Sequence, residues 1–177
     1  GQERTHYFPS RAECLSCHTP QSGYVLGVRT AQLNGPHPYA EATDNQLRTL
    51  DHIGLFTHPI PTAAEELPRL PRYDDANASI AARARAYLAT NCASCHRPEG
   101  TGRGSMDMRF QTPLDQTGLV DVAPLYGNLG IAEPRRILPG KPQQSTLLAR
   151  MRTLSSDRMP PLASLRVDSQ GTALIER

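Results

Sequence analysis

Four cysteines stand in this sequence, and each pair is closed directly by a histidine: Cys14-Leu15-Ser16-Cys17-His18 and Cys92-Ala93-Ser94-Cys95-His96. Two intervening residues place both thiols on one side of a helical turn, about the spacing of the two vinyl groups of a haem. Each thiol can add to a vinyl as a thioether, and the next residue then aims an imidazole at the iron from the same side. This is the haem-attachment reading of C-x-x-C-H, and it leaves no cysteine over.

Other uses of paired cysteines explain less. Zinc ribbons usually separate their two knuckles by roughly 15–20 residues, whereas Cys17 and Cys92 lie 75 apart. Zinc also gives no reason for His18 and His96. A disulfide framework suits an oxidising compartment but ignores the histidines as well. A thioredoxin-like redox pair needs a βαβ setting, and none is apparent. The expected cofactors are therefore two covalently attached haem c groups, on Cys14 and Cys17 with His18, and on Cys92 and Cys95 with His96.

An iron that only transfers electrons needs a second axial ligand. For the second haem the candidate is Met159, in Asp157-Arg158-Met159-Pro160-Pro161, 63 residues after His96. Pro160 disfavours a helical Met159, and two prolines stiffen the loop. A His/Met pair raises the reduction potential. Met106, Met108 and Met151 compete; Met151 follows an apparent Ser-capped helix from Ser145 and reads as core packing. For the first haem no methionine precedes Met106. His6, His37, His52 and His58 are available, and His52 leads because the apparent helix Asp44–Phe56 would present it rigidly. An open sixth position or a non-histidine ligand stays a live alternative.

The elements that must position these groups are short. Hydrophobic residues make up 38% of 177 and aromatics 5%, with no Trp, 16 Pro and 13 Gly. So little large apolar material suggests short helices, long irregular connections and a core completed by the haems themselves. The proline-rich stretch 59–71 reads as a linker or a strap packed across an interface, dividing the chain near residue 72. Asp74, Asp75 and Asn77 offer N-caps for a helix near 78–90, with Ile80, Ala84, Tyr87 and Leu88 on one buried face. Gly100-Thr101-Gly102-Arg103-Gly104 lacks the ending of a phosphate loop and reads as a tight turn past the haem edge. A last helix starts near Asp168 or Ser169. The expected fold is all-α: two small cytochrome c-like haem domains of short helices and long loops, packed together, over 1–72 and 73–177.

The formal charge is +2, with six Arg against seven acidic groups in 1–72 and thirteen basic against ten acidic groups in 73–177. That is no concentrated basic face, so nucleic acid is not an expected partner. No apolar run reaches the length of a membrane span. The polar opening Gly1-Gln2-Glu3-Arg4 is no signal peptide, and the helical pattern 172–177 runs on without a stop signal, so a piece of a longer chain is expected.

These motifs carry a resemblance. Residues 73–177 are similar to a class I cytochrome c domain, with Cys92, Cys95, His96 and Met159 on its attachment and axial positions. The whole chain resembles a dihaem region at the C-terminal end of some larger bacterial secreted proteins. The matching features include Tyr7-Phe8-Pro9-Ser10, Gln32-Leu33-Asn34, Leu67-Pro68-Arg69-Leu70, Arg83–Leu88, Pro139-Gly140-Lys141-Pro142 and the Met-Pro-Pro turn. The resemblance implies periplasmic electron transfer, with a redox protein partner or an attached dehydrogenase domain as donor. The N-terminal half departs from a class I domain, lacking a leading helix and a Met-Pro loop. Covalent attachment by this motif is made outside the cytoplasm, so an extracytoplasmic place is expected, free in the periplasm or tethered to the membrane. An electron-transfer module, without catalytic residues, is the expected function. The contrasting reading is a dihaem enzyme of the peroxidase type with an open site at the first haem.

Overall fold

Side-chain caps set most of the helix starts. In the computed structural model residues 5–177 are described, and the polar opening at 1–4 lies outside them. Helix α1 (Arg11–Leu15) opens with a reciprocal capping box: the Ser10 hydroxyl accepts from Glu13 N, and the Glu13 carboxylate accepts from Ser10 N at 2.8 Å. A single turn, α2 (Thr30–Leu33), precedes a small antiparallel pair, β1 (Pro36–Pro38) and β2 (Thr43–Asn45). Asn45 then caps α3 (Gln46–His52), its side chain accepting from the backbone N–H groups of Leu47 and Arg48. Beyond the proline-rich stretch come α4 (Ile80–Asn91), α5 (Thr146–Arg152) and α6 (Ser169–Glu176).

The expectation of an all-α fold is not met. A two-stranded sheet interrupts the N-terminal half, and most described residues lie in turns and irregular chain. The cause is local. Gly35 and His37 each precede a proline, which disfavours helical backbone there and leaves the segment extended. Asp44, expected inside a helix with His52, belongs to β2, so α3 is shorter at both ends than the Asp44–Phe56 pattern suggested.

Two small cores result. In the first half Leu47 is wholly enclosed and Ala64 nearly so. Buried Asn34 holds this half together: its amide donates to the carbonyls of Ala64 at 2.6 Å and Leu67 at 2.9 Å, and its oxygen accepts from Asn45. Leu70 N donates to Ala31 O at 2.9 Å, so the proline-rich stretch is a packed strap. In the second half Leu88, Ala93, Met108 and Leu119 form the core, with Tyr87, Ile137, Leu147 and Ile175 packed on it.

Helix α4 begins two residues later than its sequence suggested. Ser79, not an earlier acidic residue, is the cap, accepting from Ala82 N at 3.1 Å. Ala86, Leu88 and Ala89 are its buried residues, while Ile80 is exposed. Helix α6 starts where expected, capped by Asp168, whose carboxylate also accepts from Tyr87 OH at 2.9 Å. The two helices touch there so closely that a Cβ on Gly171 would lie 2.3 Å from the Tyr87 ring. Gly171→Ala should therefore force the helices apart at a cost of about 1–3 kcal/mol, read as a lower melting temperature. An unchanged melting temperature would mean that Tyr87 swings aside freely.

Candidate functional site

Both cysteine motifs sit where a helix gives way to turns. Cys14 lies in the last turn of α1, with Cys17 N bonded back to Cys14 O at 3.2 Å and His18 N to the same oxygen at 3.0 Å. Cys92 closes α4, and Cys95 N and His96 N both return to Cys92 O, at 3.1 and 2.9 Å. The shared carbonyl winds each motif into one turn, which is what brings the two thiols and the imidazole of a motif together.

The two motifs also touch each other, which their separation in sequence gave no sign of. Thr101 Oγ1 donates to Ser16 O at 2.7 Å. The Cys17 thiol lies beside that of Cys95, and both burial and the neighbouring sulfur push it up from its ordinary value. Cys92 is enclosed further, and burial raises its thiol to about 12. Such a group stays protonated at neutral pH in the unmodified chain. Among the described residues, no three His, Cys, Asp or Glu side chains converge as a metal-ligand set.

The second motif opens onto a cavity of about 390 Å³ lined by Cys92, His96 and all four methionines: Met106, Met108, Met151 and Met159. Met108 belongs to the core below it, whereas Met159 is 40% exposed on the loop above. Met159 N donates to Arg150 O at 3.1 Å, tying that loop to α5. Met151, read from sequence as core, faces the cavity instead. The glycine turn wraps the motif closely: Gly102 N donates to Cys95 O at 2.9 Å, and a Cβ on Gly102 would stand 2.5 Å from His96 Nδ1. Only a glycine allows that approach. His96 Nδ1 itself is buried and has no hydrogen-bond partner. Burial, and then the Arg136 charge, lower the basicity of this ring.

The first motif is more open. His18 Nδ1 lies 2.5 Å from the Tyr24 carbonyl. A carbonyl only accepts, so Nδ1 carries the hydrogen and Nε2 keeps a free lone pair. A backbone carbonyl fixing one ring nitrogen while the other stays available is the arrangement of a metal-ligating histidine. The same half of the chain carries several exposed large apolar side chains, among them Phe8 at 81% and Val25 at 73% exposure, with Tyr7, Leu15, Tyr24 and Val28.

The remaining histidines are dispersed. His6 packs edge-on against Phe8, and His37, on β1, packs similarly against Tyr39. His52 is exposed at the end of α3, which packs on α2 and β2. No helix of the described residues is long and apolar enough to cross a membrane.

No family model matches the chain, and no curated protein or solved structure gives a significant match.

Thiol burial predicts the order of modification in the haem-free chain. Exposed Cys14 should react with iodoacetamide well before Cys92, read by peptide mass spectrometry of partially alkylated protein at pH 8. Equal labelling of Cys92 would contradict its enclosure.

Proposed function

We propose that the chain is a dihaem c-type module that passes electrons between an extracytoplasmic donor, such as a dehydrogenase, and an acceptor protein. The observation that carries this reading is that the second C-x-x-C-H turn opens onto room for a large apolar group, the cavity lined by His96 and four methionines. At the first motif Cys14 and Leu15 are exposed on the turn itself. The residues present fit the group on two counts beyond motif spacing: the Tyr24 carbonyl orients the His18 ring through Nδ1, and His96 lines the cavity of the second motif.

When bound, a haem supplies a one-electron iron couple whose potential its axial ligands tune. The chain's own residues do the rest. Cys14, Cys17, Cys92 and Cys95 would hold the two haems as thioethers, each thiol adding its sulfur and hydrogen across a vinyl group so that no oxidant would be consumed. His18 is oriented by the Tyr24 carbonyl, and His96 is held by the Gly102 turn. Met159, on its proline-stiffened loop and lining the same cavity as His96, would supply the second ligand of that iron, and a thioether would favour the reduced state. Met108 and Leu147 line the second site with apolar surface. His52 stands as the proposed second ligand for the first iron, although nothing packs it against His18. That exposure keeps a second reading alive, in which the first iron is open and the chain acts on a small ligand such as peroxide.

The optical spectrum of dithionite-reduced protein, made with haem-attachment machinery, separates these readings. Sharp c-type bands unchanged by carbon monoxide are expected for two six-coordinate irons. A shift in about half of the haem would favour the enzyme. Absence of haem bands would overturn both. Met159→Ala should lower the second potential or open that iron to carbon monoxide; an unchanged titration would remove Met159 as ligand.

A further inference from the structure

Two side chains that read in sequence as caps for α4 do not cap it. Ser79 takes that place, and Asp75 and Asn77 are left in the turn before it. The stretch runs Asp75-Ala76-Asn77-Ala78-Ser79, an asparagine with a hydroxyl residue two places on and no proline between. Asn-x-Ser/Thr is the acceptor pattern for N-linked sugar, which belongs on surface loops of proteins outside the cytoplasm. So short a pattern also arises by chance, and the setting of the side chain decides what it means.

The chain holds five asparagines, and only Asn77 has a hydroxyl residue two places on. The other four use their side chains in the fold. Asn34 Nδ2 donates to Ala64 O at 2.6 Å, and Asn45 Oδ1 caps α3. Asn91 Nδ2 donates to Tyr87 O at 2.9 Å, and Asn128 Oδ1 accepts from Gly130 N at 3.1 Å. Asn77 is exposed, and among the described residues only its backbone N–H is engaged, donating to Asp75 Oδ1 at 3.0 Å. With Ala78 N bonded to Asp75 O at 3.1 Å, the acceptor is held in a turn whose side-chain amide has no structural task. The Asp75 carboxylate adds a charge that a transferase can read. The 12 residues of α4 separate this turn from Cys92, about 18 Å of helix.

We infer that Asn77 is an acceptor for an N-linked glycan, transferred from a lipid diphosphate-linked oligosaccharide by an oligosaccharyltransferase outside the cytoplasm. This rests on the extracytoplasmic place in the proposed function, and not on its haems. In the transfer Asn77 Nδ2 bonds to the anomeric carbon of the sugar as that carbon's bond to the phosphate oxygen breaks. The lipid diphosphate leaves and the amide gives up one proton, so nothing is oxidised or reduced. The Ser79 hydroxyl oxygen accepts from Ala82 N, which leaves its own hydrogen for the transferase to read.

Intact mass and peptide mapping test this on the full chain, exported from bacterial cells that supply haem-attachment machinery, a bacterial oligosaccharyltransferase and its lipid-linked sugar. One glycan is expected, on the peptide that holds Asn77. It should vanish in Asn77→Gln, persist in Ser79→Thr, which keeps the hydroxyl, and fall several-fold in occupancy in Asp75→Ala. A chain with two haems and no sugar, from cells that glycosylate a control acceptor peptide, would overturn the inference and leave the haem reading intact. Sugar that persists in Asn77→Gln would overturn it equally. A chain that carries the glycan on Asn77 and no haem would uphold the inference and overturn the haem reading instead.

Discussion

A shortage of large apolar side chains governs this molecule. The buried hydrophobic residues are few and several are alanines, and in the second half a cavity of about 390 Å³ lies beside the core, with Met108 common to both. Interiors ordinarily pack to the density of organic crystals, so an apolar hole of this size is a standing cost unless something occupies it. The first half shows a thin core from outside, with Phe8, Val25 and Val28 largely exposed. The proposed haems would supply apolar bulk that the sequence lacks.

Without a deep core, polar side chains do much of the fastening. Asn34 gathers the carbonyls of the strap, and Arg85 does the same for the loop after Met108, donating to the carbonyls of Phe110 and Thr112 while its cation lies over the Phe110 ring. Each is one side chain closing a long irregular segment, the arrangement expected where helices are too short to bring the chain back. The contact of Thr101 with Ser16 extends this fastening across the two motifs, and sets Cys17 beside Cys95. Two cysteine motifs far apart in sequence are thereby neighbours, as the proposed exchange of electrons between them would require.

What the sequence disclosed was the chemistry that lives in short spacing. Cysteine, cysteine and histidine within five positions define their own geometry whatever surrounds them, and the Asp168 cap of α6 is likewise a local matter. Fold class was harder, because the shortness of helices was inferred correctly while their exclusivity was not: proline on either side of His37 turns that segment into a strand. The contact between motifs, the Tyr24 carbonyl behind His18 and the burial of Arg136 depend on residues distant in sequence or on main-chain atoms that no residue type advertises. Arg136 beside Arg135 reads as surface charge, and only enclosure separates them: Arg135 pairs with Asp121 at 2.9 Å while its neighbour has no such partner.

The intact mass of the denatured protein, exported from cells that carry haem-attachment machinery, tests the central claim most directly. Two covalent haems are expected on every chain, one lost when Cys92 and Cys95 are both replaced by alanine. A chain that leaves the cell at its unmodified mass, with four free thiols, would contradict it.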